Sequence, residues 1–138
     1  MKSFVRGFTL IELLVVVAII GIISSIGIIS YKGYVDSAAK KAAENTLRGT
    51  AVAQQDYKSS YGTFYPGGSS GNCSPNKSST DLIIANIYGG VDNLSEQNFY
   101  FCSTGDVSSF TIVAKHKTKS CQITLNERNI FSRTDCDN

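Results

Sequence analysis

The sequence predicts an α+β fold: one long N-terminal helix, apolar in its first half and amphipathic in its second, packed on a three- or four-stranded antiparallel sheet. Three observations carry this expectation. From Leu13 to Tyr31 the chain bears no charge, close to the ~20 apolar residues with which a helix crosses a bilayer. Beyond that run, small and apolar residues recur at three- and four-residue steps as far as Tyr61. After residue 98, short apolar runs alternate with turn-rich stretches, as in a small meander.

The first seven residues hold Lys2 and Arg6, no acid, and end on Gly7. Both bases precede the apolar run, which places that end in the cytoplasm and the bulk of the chain outside. One carboxylate, Glu12, interrupts the run. An acid inside a membrane segment costs roughly 2.5 kcal/mol or more, so it marks a function and needs a partner. Cleavage after Gly7 would create that partner, because the new amine at Phe8 lies one helical turn from Glu12. In staggered copies, the amine of one chain could neutralise Glu12 of the next. At ~4 Å and an effective dielectric of about 20 the attraction is roughly 4 kcal/mol before desolvation is subtracted. An ordinary secretory signal is shorter and is cut after its apolar core. Here the candidate cut lies before the core.

Gly7-Phe8-Thr9-Leu10-Ile11-Glu12, followed by the apolar residues Leu13 to Ile23, resembles the class III signal peptide of type IV pilins. Ser30-Tyr31 and Tyr34 continue the resemblance to about residue 35. It implies the pilin fold, cleavage between Gly7 and Phe8 by a prepilin peptidase, N-methylation of Phe8, and assembly through Glu12 into a helical filament. The implied partners are copies of itself or other pilins, the peptidase/methyltransferase, an inner-membrane assembly platform, and the membrane before assembly. The implied location is the bacterial inner membrane for the precursor and then a surface pilus serving adhesion, twitching motility or DNA uptake. No cofactor is implied. On this pattern residues 1–7 are a leader, 8–34 the transmembrane and filament-core helix, and 35–138 a head domain. Pilins usually carry a proline before the Ser-Tyr pair, and Ile29 stands there instead. The kink or unwinding associated with that proline lacks its residue, although Gly21 and Gly27 each weaken a helix by about 1 kcal/mol relative to alanine.

A chain of 138 residues is the size of one domain. Without the apolar arm, about a hundred residues remain for one modest core. The formal charge of +2 comes entirely from Lys2 and Arg6. The remainder is neutral overall and makes no global electrostatic case for nucleic acid. Cys73, Cys102, Cys121 and Cys136 all lie in the outer portion, and an even number in an exported chain points to two disulfides. Spacing alone allows three pairings. The pilin resemblance, in which a disulfide closes the C-terminal region, implies Cys121–Cys136 and so leaves Cys73–Cys102. Each should stabilise by about 3 kcal/mol on the chain-entropy model.

Past the apolar run, Val35, Ala39, Ala42, Thr46, Thr50, Ala53, Tyr57 and Tyr61 suggest a packing stripe. Lys40–Glu44 and Glu44–Arg48 are spaced for i,i+4 contacts. A continuous helix from Thr9 to Lys58 would be ~75 Å long; the alternative is two helices broken at Gly33. The helix should end in the Ser59–Gly68 stretch, opening a loop over 62–97. Within it, residues 67–80 read as an exposed segment tied by Cys73. Asp81 to Tyr88 reads as a short helix capped by Thr80 or Asp81 and stopped by Gly89-Gly90. Strands are expected at Asn98–Ser103, Ser109–His116 and Ser120–Leu125, with a short fourth at Asn129–Ser132. No internal repeat is visible.

No residue set reads as catalytic, and the chain is not read as an enzyme. His116 sits among lysines without an acid to orient it. No phosphate loop or metal-ligand spacing is present. Three Asn-x-Ser matches, at Asn72, Asn76 and Asn93, fall in an Asn/Ser-rich region and read as coincidence. Lys115, Lys117, Lys119, Arg128 and Arg133 could form a basic strip for DNA phosphates. Alternating edge lysines also prevent sheet-to-sheet aggregation, which is the plainer reading. Asp135 and Asp137 resemble the calcium loop of type II secretion pseudopilins, but two acids are too few ligands. The function expected is a structural pilus subunit. The alternatives are a low-abundance minor pilin that binds DNA or a surface, and a secretion pseudopilin.

Overall fold

The computed structural model describes residues 7–67 and 73–136, with the backbone alone at residues 28–30. Its elements are α1 (Leu10–Tyr61), α2 (Lys77–Asn86), β1 (Phe99–Gly105), β2 (Phe110–His116), β3 (Gln122–Asn126) and β4 (Phe131–Thr134). The chain divides between Ala38 and Ala39 into two units.

In the first unit every residue from 7 to 27 is exposed. The large apolar side chains from Leu10 to Ile26 range from 82% exposed at Leu10 to 47% at Val16. An 18-residue window here has mean hydropathy 2.8 with none of it buried, long and apolar enough to cross a membrane. The helix passes through Gly33 without a break. A lone glycine costs about 1 kcal/mol, too little to open a ladder bonded on both sides. The helical backbone also continues through position 29; the side chains of Ile29 and Ser30 lie outside the described residues, as do Lys2 and Arg6.

In the second unit α1 buries Ala43, Leu47, Thr50 and Gln54, a face stepped by four, three and four residues. The expected stripe is therefore rotated. Ala42, Val35 and Tyr61 are exposed, and Leu47, the one large aliphatic on this face, anchors it. Ala and Thr occupy helix faces of either polarity, so a stripe built from them leaves the azimuth open. The expected i,i+4 pairs are also replaced. Lys40 donates to the Cys136 carbonyl, while Arg48 lies over the Phe131 ring, 5.0 Å from its centroid.

The sheet is an antiparallel meander in the order β1-β2-β3-β4. Phe101, Ala114 and Ile123 share one cross-strand row and Ser103, Ile112, Leu125 and Phe131 the next. Apolar members of these rows meet Ala43 and Leu47 in the core with Phe64, Phe99, Phe110, Ile83 and Leu94. Sheet alternation thus supplies the aromatic bulk that α1 lacks.

The outer edge of β1 is closed by α2. Asn76 and Ser79 form a capping box, and this start at Lys77 corrects the expected one at Thr80 or Asp81. Thr80 instead serves the sheet. Its hydroxyl accepts from the Phe101 N–H at 2.9 Å, and Ser79 donates to the Phe101 carbonyl at 2.7 Å. Side chains therefore occupy backbone groups that an open edge would offer to another chain. Gly89 and Gly90, both at positive φ, follow the helix, and the Gly90 N–H returns to Ile84 at 2.8 Å.

Between α1 and α2 the chain crosses β1 so closely that two positions require glycine. A Cβ at Gly67, where φ is +72°, would overlap the Ser103 carbonyl, and one at Gly105 would lie 2.7 Å from Phe64 Cβ. Gln54, fully buried, locks this crossing. Its Oε1 accepts from the Tyr65 N–H at 2.8 Å, and its Nε2 donates to the Ser103 hydroxyl at 2.6 Å and the Tyr65 carbonyl at 3.3 Å. Cys73 is joined to Cys102 and Cys121 to Cys136, with Cα separations of 5.6 and 4.3 Å. The first ties the segment before α2 to β1, and the second ties the C-terminal segment to the start of β3.

Gln54→Leu keeps most of the volume and strands the Tyr65 N–H and Ser103 hydroxyl. It should lower stability by about 2–4 kcal/mol, read as the urea midpoint of the full chain in detergent; an unchanged midpoint would refute the lock. Acid should act on the β1–β2 turn. Asp106 accepts from the N–H groups of Ser108 and Ser109 at 2.6 and 2.8 Å, and these bonds lower its carboxyl from 3.8 to about 2. A lowered folded-state pKa gives stability that is complete above 3.8 and is lost as pH falls toward about 2. Asp106→Asn should flatten that part of the acid unfolding curve; an unaltered slope would show that the turn carboxylate contributes nothing.

Candidate processing and assembly site

Gly7, Phe8 and Thr9 lie outside regular structure, and Leu10 is the first helical residue. The local cause is a reciprocal cap. The Glu12 N–H donates to the Thr9 hydroxyl at 3.3 Å, while Glu12 Oε2 accepts from the Thr9 N–H at 2.9 Å and from the Thr9 hydroxyl at 2.7 Å. This is the Thr-x-x-Glu capping box, which satisfies two donors that a helix start leaves without partners. The spacing is visible in the sequence, but the charge of Glu12 draws the eye away from Thr9. Phe8 is 79% exposed. Phe8, Ile11, Glu12, Val15 and Val16 line one shallow depression on the helix surface. The carboxylate therefore has apolar side chains around it on an exposed helix surface.

The basic residues do not gather into one strip. Lys115 is exposed on β2, Lys117 and Lys119 lie in the β2–β3 turn, and Arg128 lies in the β3–β4 turn. In an antiparallel meander those two turns stand at opposite ends of the sheet. Lys117 donates to the Ser95 carbonyl at 2.9 Å and stands over the Tyr100 ring. Arg128 reaches Glu127 at 3.5 Å. Arg133 contacts Glu44 Oε1 through Nε at 2.7 Å and Nη2 at 2.5 Å, and Lys41 holds the other carboxylate oxygen at 3.1 Å. Burial pushes the Glu44 carboxyl up, yet Arg133 and Lys41 together hold it below the ordinary carboxylate range. This cluster ties α1 to β4, a long-range pair that no local pattern announces.

His116 closes the β2–β3 turn. Its Nδ1 accepts from the N–H groups of Thr118 and Lys119 at 3.2 and 3.1 Å, and its ring meets Phe99 edge-on. Among the described residues no group of three His, Cys, Asp or Glu could hold a metal ion. Asp135 is described, with φ of 53°; Asp137 lies outside the described residues, as does Asn72. The Asn76 side chain is engaged in the α2 cap, and Asn93 is exposed.

Residues 2–28 match the family model of the prokaryotic N-terminal methylation motif. The chain is also similar to the fimbrial protein EcpC of Eikenella corrodens, 39% identical over 64 residues, or 46% of this chain and 42% of that protein. The match thus spans about two fifths of the relative's length. The N-terminus thus carries the signal of a prepilin-type methylation motif.

If Arg133 is structural, Arg133→Met should leave Glu44 short of its partner and destabilise the chain by about 2 kcal/mol. Thermal unfolding in detergent would measure this, and a midpoint within error of wild type would return Arg133 to the solvent-facing cations.

Proposed function

We propose that this chain is a subunit of a type IV pilus, cut between Gly7 and Phe8, N-methylated at Phe8 and polymerised through its N-terminal helix. The observation that carries the reading is one carboxylate, Glu12, four residues after Phe8 in a helical run that is otherwise uncharged and, as far as Gly27, exposed. Such a helix rests in lipid before assembly and among like helices afterwards, so little hydrophobic energy changes on transfer. The carboxylate then favours assembly in one register, because only a neighbour displaced by a fixed step brings a Phe8 amine to it. The methylation motif over residues 2–28 and the similarity to a fimbrial protein support the same reading. The precursor would sit in the inner membrane and the product in a surface filament made with copies of itself or other pilins. The partners on that route would be a prepilin peptidase/methyltransferase and an assembly platform. Residues 1–7 are then the leader, 8–34 the filament-core segment and 35–138 the head.

Intact-mass spectrometry of filaments sheared from expressing cells tests this. The expected species begins at Phe8, carries one added methyl and lacks four hydrogens for the disulfides Cys73–Cys102 and Cys121–Cys136. Gly7→Ser should accumulate as uncut precursor in the membrane. Glu12→Ala should be cut but yield few filaments, with its head disulfides intact. Normal filament yield from Glu12→Ala would end the assembly role, and a normally shortened Gly7→Ser product would end the cleavage assignment.

A further inference from the structure

We infer that Thr9 is a positioning residue for cleavage of the Gly7–Phe8 bond: its cap with Glu12 stops α1 short of that bond and holds the bond outside the helix. The inference rests on the processing step proposed above. Hydrolysis adds water across the amide and yields the Gly7 carboxylate and the Phe8 amine, so a peptidase must reach the Gly7 carbonyl from one face and the departing nitrogen from another. Helical amides are enclosed by their i→i−4 bonds and by the turns above and below. A bond drawn into α1 would have to be unwound before it could be cut.

The hydrogen bonds show what prevents this. The first backbone bond of the ladder runs from the Leu13 N–H to the Thr9 carbonyl at 3.3 Å. One step further, the Glu12 N–H would bond to the Phe8 carbonyl, but it donates to the Thr9 hydroxyl. The Thr9 N–H, which would carry the ladder beyond Phe8, is held by the Glu12 carboxylate. Side chains thus take two of the four donors, those of Thr9 and Glu12, that would carry the helix back over the scissile bond. In water, loss of a cap frays a helix. Beside an apolar run, where water is scarce, an N–H without its side-chain acceptor takes the nearest backbone carbonyl, which is that of Phe8. Gly7, a poor helix former, is a second brake in the same direction.

The test uses the full-length precursor in membranes containing a prepilin peptidase, with initial cleavage rates read by mass. Thr9→Val keeps the shape and β-branching but has no acceptor; Thr9→Ser keeps the acceptor. The expected result is a rate about fivefold lower for Thr9→Val, the size of one lost N-cap, and a rate near wild type for Thr9→Ser. In uncut precursor in detergent micelles, the Phe8 carbonyl-carbon shift should move toward helical values in Thr9→Val alone. Equal rates for Thr9→Val and wild type would overturn the inference, as would a Thr9→Ser rate as low as that of Thr9→Val. A slow Thr9→Val whose Phe8 shift is unmoved would also overturn it, because Thr9 would then act by touching the peptidase. Failure of the wild-type chain to be cut would instead remove the processing step itself.

Discussion

The apolar surface of α1 from Leu10 to Ile26 has no cover within its own unit. At about 25 cal/mol per Å² of exposed apolar area, a helix of this length cannot stay in water. Something must surround it, and lipid and like helices are nearly equivalent in that respect. On the proposed function, hydrophobicity therefore cannot by itself decide between membrane and filament. The decision falls to polar groups, and in the described part of the run Glu12 is the one that carries a charge. A single carboxylate thus has an influence out of proportion to its share of the surface.

The second unit solves a different problem. The buried face of α1 there is narrow, with Ala43, Glu44, Leu47, Thr50 and Gln54, and three of the five are polar. The core volume comes from the sheet, through Phe99, Phe101, Phe110 and Ile112. The helix contributes specificity as much as volume: Gln54 serves the Tyr65 backbone and Ser103, and Thr50 meets the Tyr88 hydroxyl at 2.8 Å. Among the described residues every buried side-chain nitrogen and oxygen has a partner. Each such group would cost stability if left unpaired, so the network permits one seating of the crossing segment and disfavours slipped ones.

What the sequence made legible follows the range of the interaction. The apolar run and its lone acid need no periodicity to be seen, and the strands announce themselves by alternation between turns. The azimuth of the second half of α1 did not, because Ala39, Ala42 and Ala43 look alike and only packing separates them. Thr80 read as a cap because its neighbours are polar; its bond to Phe101 depends on β1, 21 residues away. Arg133 read as a surface cation for the same reason, its partner Glu44 being 89 residues distant. The cysteine spacings left three pairings open, and the favoured pairing came from the resemblance alone. Thr9–Glu12 differs in kind: the spacing is local and visible, but an acid in an apolar run suggests a charged partner before a neutral one.

If the chain assembles as proposed, that neutral partner changes the energetics of the step. The roughly 4 kcal/mol attraction between an amine and a carboxylate at ~4 Å assumes that nothing already serves the acid. Here Thr9 does, but both of its bonds fall on Oε2, and among the described residues Oε1 has no donor. An ionised carboxylate accepts through both oxygens. The cap can therefore persist on one oxygen while a neighbour's amine approaches the other, and polymerisation need not break the helix start to form its ion pair. The cap lessens the cost of holding the acid in lipid, and to the same degree lessens the free-energy gain on pairing. On the proposed function, what assembly would draw from Glu12 is then direction more than strength, in keeping with the modest net worth of ion pairs once desolvation is counted.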